Sequence, residues 1–275
     1  MSTLEALRSP GLRPFSPNDL SSIPEQFSSE KGAPFIIGVA GGPGAGKRVV
    51  CDSVIERLKT INPSHTRKIA ILKISQFMRE FEGEELEAAK SGHLNMDHPD
   101  AFDFDLLKSV LKSLCLGKPV KLPLYDSQNF RRKEETQDWN EIPDVVLLHG
   151  CLALFDPEVR QYLSMKIFAD VDSDTRLVKM VNTELAKPHY NLDKTLHDYA
   201  RISKPTFEAF IYPSKKCADV IMPRGSGNHV AIALITEHIN DLLMGNFTPV
   251  NYSNKGAIVS DIFEKPKKFY NPIPE

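Results

Sequence analysis

The fold of this chain follows from residues 35–47, which read Phe-Ile-Ile-Gly-Val-Ala-Gly-Gly-Pro-Gly-Ala-Gly-Lys. The first six residues form a short apolar run, typical of a buried parallel strand. The glycine-rich part then runs directly into apolar residues at helical spacing. A strand, a glycine loop that ends in Gly-Lys, and a helix are together the sequence context of a phosphate-binding loop (P-loop). The backbone N–H groups of such a loop and the helix dipole favour an anion, and Lys47 reaches the outer phosphates.

The residue after this lysine departs from the P-loop pattern. Ser or Thr is expected there because its hydroxyl holds Mg²⁺, whereas this chain has Arg48. Arginine offers no oxygen ligand and adds a positive charge. Two orientations stay open: inward, with charge-assisted contacts to a phosphate, or outward to solvent from the first helical turn. The predicted nucleotide-binding residues are Gly41, Gly42, Pro43, Gly44, Ala45, Gly46, Lys47 and Arg48.

Strand and helix patterns alternate through the rest of the chain. Apolar runs predict strands at 35–40, 69–72, 145–148, 165–171 and 218–222, with helical stripes between them and a closing helix at 230–243. Such alternation indicates a parallel sheet with helices on both faces, an α/β fold of the P-loop NTPase type. Residues 119–138 break the rhythm and predict a β-hairpin outside the main sheet.

Composition narrows the class of protein. The chain has 275 residues, with 34 Lys plus Arg against 36 Asp plus Glu, so the net charge of −2 argues against a general nucleic-acid binder. No apolar run approaches the roughly 18 residues of a membrane helix, and no signal-peptide core is seen. The four cysteines lack CxxC spacing, which favours reduced thiols in a cytoplasmic protein.

Proline clusters divide the chain into three parts. Polar, proline-containing stretches predict a flexible N-terminal tail at 1–33 and a C-terminal tail at 245–275. Residues 34–244 form the predicted P-loop domain.

Several segments of that domain resemble uridine-cytidine kinases, in that family's order and spacing. They include Asp97-His98-Pro99-Asp100-Ala101-Phe102-Asp103, Tyr125-Asp126, Arg132-Lys133-Glu134-Glu135-Thr136, Asp174-Thr175-Arg176-Leu177, Lys204-Pro205-Thr206-Phe207-Glu208 and residues 218–225. The resemblance implies a P-loop kinase fold with a nucleoside-capping hairpin. It also implies transfer of the ATP γ-phosphate to the 5′-hydroxyl of uridine or cytidine, and assembly into oligomers.

The catalytic positions depart from the family that this chain resembles. Ser75 occupies the position of the family's aspartate base, and His149 that of a strand-end glutamate that supports Mg²⁺. A serine takes up no proton usefully at neutral pH, and a neutral imidazole is a poor ligand for Mg²⁺. His149 and Cys151 could also suggest a soft-metal site, but a hydrogen-bonded strand-end histidine is favoured over it. The sequence therefore predicts no catalytic residue and no metal site, with ATP as the implied ligand and Mg²⁺ disfavoured.

The nucleoside-binding positions are partly retained. By resemblance they are Asp97, Tyr125, Phe130 and Arg176. Phe130 replaces a base-reading histidine, so it can stack on a base but cannot donate a hydrogen bond. In the lid, the family's further arginines give way to other residues: Lys179, Met180, Thr183, Pro188 and Tyr190.

Three functions are consistent with these residues. The first is an inactive uridine-cytidine kinase-like protein that retains a nucleotide or nucleoside pocket and acts in regulation or assembly. The second is a working uridine/cytidine kinase of pyrimidine salvage with relocated acids. Acids follow Ser75 at Glu80, Glu82, Glu84 and Glu85, but a solvated helix face is favoured for them over a relocated base. The third is a scaffold subunit without a small ligand. A homo-oligomer, or assembly with an active relative, is expected.

Overall fold

The computed structural model of the protein describes residues 33–61, 68–186 and 190–243. Both predicted tails lie outside these ranges, apart from Ala33 at the end of the first. The described chain contains a five-stranded sheet, a separate two-stranded sheet and eight α-helices, some of them short. None of the described helices is both long enough and apolar enough to cross a membrane.

The main sheet is parallel and has the order β2-β5-β1-β6-β7. Its strands are β1 (Phe35–Gly41), β2 (Ile69–Lys73), β5 (Val145–His149), β6 (Met165–Asp170) and β7 (Val220–Pro223). This confirms the predicted parallel sheet. β1 lies at its centre, so the loop that follows β1 opens at the carboxyl edge of the sheet between β5 and β6.

Helices cover both faces of the sheet, as predicted. Alternate residues of β1 face opposite sides: Ile36 packs into the cluster with helix α3 (Phe104–Cys115), and Ile37 into the cluster with α1 (Lys47–Ile61) and α8 (His229–Leu243). The remaining helices are α2 (Gly83–Lys90), α4 (Pro157–Gln161), α5 (Ser173–Leu185), α6 (Leu192–Asp198) and α7 (Lys204–Thr206). Burial of apolar side chains on both faces is what makes the central strand a continuous apolar run.

Strands β3 (Val120–Asp126) and β4 (Arg131–Trp139) form the predicted hairpin as an antiparallel pair outside the main sheet. At the last strand the prediction was two residues too early. Ala218 N–H donates to the Lys215 carbonyl and ends a turn there, so β7 begins at Val220. Helix α4 was not predicted. It is a single short turn whose Asp156 carboxylate accepts from the N–H groups of residues 158 and 159, and its length gives no periodic signal.

Candidate functional site

The phosphate loop joins the carboxyl end of β1 to the first turn of α1. Gly44 has φ +76°, a left-handed conformation, and a Cβ there would lie 2.6 Å from the Arg176 carbonyl oxygen. Ala45 N–H donates to the Gly42 carbonyl at 3.1 Å, which closes the turn. Glycine is required at residue 44 because any side chain there would strain the left-handed backbone and would also collide with the backbone of Arg176 in α5. The loop has the close-packed form of an anion cradle.

Lys47 lies folded back along this loop. Its Nζ donates to the Gly42 carbonyl at 2.8 Å and to the Cys151 Sγ at 3.3 Å. Burial is the main cause that raises the pKa of Cys151, with the Lys47 charge opposing it. The thiol is therefore neutral, and among the described residues no carboxylate lies within ion-pair distance of the Lys47 ammonium. Such a charge is available to an anionic ligand.

Arg48 pairs with an acid on the surface of α1. Its Nε lies 2.9 Å from both carboxylate oxygens of Asp52, one helical turn further along α1. Both side chains are about half exposed, at 51% and 45%. This corrects the inward alternative for Arg48. A carboxylate at i+4 is a close and well-placed partner for a first-turn arginine, so the guanidinium remains on the helix surface.

Ser75 lies in a 3₁₀ turn, Ile74–Phe77, directly after β2. Gln76 fixes this turn, because its amide oxygen accepts from the Lys73 N–H and its amide nitrogen donates to the Pro123 carbonyl of the hairpin. Ser75 itself is exposed. The predicted substitution of a hydroxyl for an acid therefore falls at the carboxyl edge of the sheet, where catalytic groups of open α/β folds are found.

The acids that follow Ser75 do not form one helix face. Glu80 precedes α2 and its carboxylate accepts from the Arg132 backbone N–H of the hairpin at 3.1 Å. Glu82 is the N-cap residue of α2, and Glu84 and Glu85 lie in its first turn. The expectation of a single solvated helix face is therefore wrong for Glu80, which is engaged by the hairpin.

His149 ends β5 and lies beside both neighbouring strands. It is in register with Val39 of β1 and with Lys73 of β2. Burial, followed by the charges of Lys47, Arg48 and Lys73, lowers the pKa of His149 to about 4. Its Nε2 is shielded from solvent and has no hydrogen-bond partner in the described structure. The prediction that this strand-end histidine is hydrogen-bonded is therefore wrong for Nε2.

Asp97 is a half-buried residue whose carboxylate is influenced by the charge of Lys47. Burial raises its pKa, and the charge of Lys47 partly opposes that effect. Its charge also acts on Cys151. The structure therefore brings Asp97, Lys47 and Cys151 into electrostatic reach of one another. Cys151 entered the sequence argument only as a candidate metal ligand; nothing in the sequence spacing indicated its contact with Lys47.

Arg176 lies against the phosphate loop. It is 2% exposed, and its Nε donates to the Val171 carbonyl at 3.1 Å. Its guanidinium carbon lies 3.7 Å from the centre of the Phe207 ring. A Cβ at Gly42 would approach both the guanidinium and that ring, at 2.6 and 2.9 Å. Arg176 and Phe207 therefore form the wall behind the loop. Phe207 lies within a segment of the resemblance, but its stacking role was not predicted.

Tyr125 and Phe130 lie together at the turn end of the hairpin. Both pack against an apolar cluster that includes Met78 and Phe81. Burial is the main cause that raises the pKa of Tyr125 to about 12, and its buried hydroxyl has no partner in the described structure. Phe130 has φ +55°, a conformation set by its place in the turn. An apolar surface with one unsatisfied hydroxyl suits the face and one polar edge of a flat ligand.

In the lid, α5 carries Lys179, Met180 and Thr183, and Tyr190 precedes α6. The Tyr190 hydroxyl is a further buried group without a partner in the described residues, and Pro188 lies outside them. All four cysteines are free thiols.

The donors near the loop do not suit Mg²⁺, which the P-loop kinase fold ordinarily uses. Mg²⁺ takes hard oxygen ligands in an octahedron. The positions in question hold a guanidinium turned outward, an exposed serine and a neutral imidazole. Among the described residues, no group of three or more His, Cys, Asp or Glu side chains is placed to hold a metal ion.

A parallel sheet with a glycine loop, Lys47 and a flanking hairpin defines a P-loop kinase fold. A sequence model of the Phosphoribulokinase / Uridine kinase family (PRK) matches residues 36–231, and this chain belongs to that family. The membership confirms the resemblance to uridine kinases and the predicted α/β P-loop fold.

Named relatives share much of the sequence. The chain is 42% identical over 216 residues to "Uridine-cytidine kinase 2-B" of Danio rerio, which covers 78% of this chain and 82% of the relative. It is 40% identical over 210 residues to "Uridine/cytidine kinase UKL1, chloroplastic" of Arabidopsis thaliana, covering 76% of this chain but only 42% of that relative.

A solved structure with a similar fold is a putative fructose transport system kinase from Silicibacter sp. TM1040. The TM-score is 0.55 at 18% identity, and the match covers 74% of this chain and 95% of that one. At this identity the likeness concerns the fold alone.

Proposed function

We propose that this chain binds a nucleotide at its phosphate loop, and a nucleoside-like group beside the hairpin, without transferring phosphate. It would then act in regulation or assembly. The observation that carries the proposal is the contrast between an intact loop around Lys47 and the side chains at the carboxyl ends of β2 and β5, Ser75 and His149.

Phosphoryl transfer needs a metal across the phosphates, a base or positioning group at the attacking hydroxyl, and positive charge over the transferring group. Lys47 supplies the positive charge. Ser75 supplies no base, and a histidine whose pKa lies about 4 takes a proton weakly at pH 7. Loss of a general base alone slows a reaction by about 10²–10⁴-fold. The changed metal position lowers the rate further, although the two losses do not add.

A second candidate is a working uridine/cytidine kinase, and Asp97 favours it. This carboxylate is within electrostatic reach of Lys47, and burial raises its pKa, which makes it a better proton acceptor than an exposed aspartate. The printed names of the relatives are also those of kinases. In this alternative Asp97 would take the proton of the attacking hydroxyl in place of the residue at position 75.

The proposal includes partners and location. The nucleotide implied by the family is ATP. Self-association, or assembly with an active relative, and a cytoplasmic location are part of the proposal, with neither nucleic acid nor a membrane as a partner. The third alternative, a scaffold without a small ligand, differs from the first in a single measurable property, namely stabilisation by nucleotides.

The deciding experiment measures phosphate transfer from ATP to a nucleoside panel, using the full chain with Mg²⁺ or Mn²⁺. We expect turnover far below the ordinary enzyme range of about 1–10³ per second. A matched variant, Arg48→Ser/Ser75→Asp/His149→Glu, restores the groups that transfer needs, and we expect it to gain measurable activity. Wild-type turnover within the ordinary range overturns the proposal.

Two further measurements separate the alternatives. If the wild type is active, loss of that activity in Asp97→Asn supports the kinase with a relocated base. If the wild type is inactive, a rise in melting temperature with ATP or UTP supports the nucleotide-binding protein. Absence of any thermal shift supports the scaffold.

A further inference from the structure

The neutral imidazole of His149 stands at the end of β5, where the family resemblance implies a glutamate that supports Mg²⁺. Arg48 pairs with Asp52 on the helix surface, so its guanidinium does not occupy that place. His149 is in register with Val39 of β1, which lies two residues before the end of that strand at Gly41. The strand holds this histidine rigidly, because Gly150 N–H also donates to the Val39 carbonyl at 3.2 Å.

The surroundings of His149 are already positive. The charges of Lys47, Arg48 and Lys73 all act on its ring, and Asp52 is the acid that opposes them. That acid is engaged by Arg48. A divalent cation beside this ring would meet the repulsion of three cations, opposed by one acid that already pairs with Arg48, whereas an anion would meet attraction. The electrostatics of this edge of the sheet therefore favour a phosphate without its metal.

The Nε2 atom of His149 is a buried polar atom without a partner in the described structure. Buried polar atoms nearly always have a hydrogen-bond partner, and an exception in a native fold requires an explanation. In a neutral imidazole one ring nitrogen carries a proton and donates. When Nε2 carries the proton, a phosphate oxygen can accept its hydrogen bond. A metal ion cannot, because a protonated ring nitrogen has no lone pair to offer it.

We infer that this loop binds the phosphate chain of a nucleotide free of metal, with Lys47 supplying the charge and His149 Nε2–H a hydrogen bond where Mg²⁺ would otherwise lie. The inference rests on the proposed nucleotide binding and specifies the form of the ligand. When the nucleotide binds, the Lys47 Nζ gives up its hydrogen bonds to the Gly42 carbonyl and the Cys151 thiol and donates to phosphate oxygens instead. The loop N–H groups and the dipole of α1 complete the site.

Calorimetric titration of the full chain with ATP, ADP and UTP, in EDTA and then in excess Mg²⁺, tests this inference. We expect binding in EDTA, with an affinity at least equal to that in Mg²⁺. His149→Phe removes the donor, and we expect about a tenfold loss in EDTA, the size of one hydrogen bond to a charged group. His149→Gln keeps an N–H donor and is expected to retain most of the affinity.

Reversal of the metal preference is the sharper test. In Arg48→Ser/His149→Glu we expect binding in EDTA to weaken and binding in Mg²⁺ to strengthen, because a carboxylate and a hydroxyl replace the donor and the cation. His93→Phe, at an exposed histidine after α2, is the matched control and should change neither. Melting temperatures establish that each variant is folded.

The titration results distinguish failure of the metal-free inference from failure of the proposed nucleotide binding. Binding that requires Mg²⁺ in the wild type, or an unchanged affinity in EDTA for folded His149→Phe, overturns the metal-free inference and leaves nucleotide binding standing. Absence of binding under both conditions overturns the inference together with the proposed function. Binding in EDTA that falls in His149→Phe but survives in His149→Gln supports the inference.

Discussion

The loop after β1 and the ends of strands β2 and β5 form one edge of the sheet. They differ in how closely their residues match the pattern of P-loop kinases. The loop keeps its glycines, its helix and Lys47 in contact with the Gly42 carbonyl. The strand ends carry Ser75 and His149. Phosphate loops in general hold an anion mostly through backbone groups, whereas catalysis of phosphate transfer requires particular side chains. The two regions therefore depend on different groups and can be tested separately.

The largest effect on stability is expected at the loop. Gly44→Ala should lower the free energy of unfolding by about 3 kcal/mol, since the left-handed backbone is strained and the new Cβ meets the carbonyl of Arg176. Gly83→Ala is the matched control. Gly83 has φ +56° but nothing within 4 Å of an added Cβ, so it should cost about 1 kcal/mol. Urea denaturation measures both. Equal losses would show that the loop is not held closely against α5.

At the strand end, His149 should make stability depend on pH. Its folded pKa of about 4 lies below the ordinary value of 6.5. The unfolded chain therefore takes up this proton first as the pH falls from 6.5 toward 4. Over that window the wild type should lose about 2 to 3 kcal/mol relative to His149→Gln, and no difference should develop above pH 7.

Denaturation at a series of pH values checks this expectation, with His93→Gln as the exposed control. A difference between wild type and His149→Gln that does not change between pH 7 and pH 4 would contradict the burial of a neutral imidazole at the end of β5.

A smaller effect is expected at Asp97, with the opposite dependence on pH. Burial raises its pKa above the ordinary 3.8, so the folded protein holds this proton more tightly than the unfolded chain does. Asp97→Asn should therefore stabilise the fold at pH 7, and the gain should shrink as the pH falls through the raised pKa. Thermal unfolding at pH 7 and pH 4 measures this, with exposed Asp105→Asn as the control. A destabilised Asp97→Asn would indicate a structural role.

The smallest effect is expected at the boundary between the two regions. Arg48 and Asp52 form an exposed pair on α1, and such a pair contributes about 0.3–0.5 kcal/mol. A double-mutant cycle with Arg48→Ala and Asp52→Ala should give a coupling of that size, and about 1 M salt should remove it. A coupling above about 1 kcal/mol would show that Arg48 does more than occupy the helix surface.

The sequence by itself determined the fold class and the phosphate loop, and its resemblance to a known family marked the changed catalytic positions. The apolar run of β1 has to be buried, a glycine loop that ends in Lys47 has one common use, and Ser75 cannot become an acid in any environment. These conclusions depend on residue type and local order, which a sequence displays directly.

Only the tertiary structure decided where the side chains point and what they meet. Arg48 had two orientations open until Asp52 was seen to lie within 2.9 Å of it. Cys151 meets Lys47 across 104 positions of sequence. His149 becomes a neutral imidazole, and its Nε2 has no partner among the described residues, because it is half-buried between two flanking strands and lies near several cations. Burial and charge are sums over neighbours that are distant in the chain, so they exist only once the sheet has brought those neighbours together.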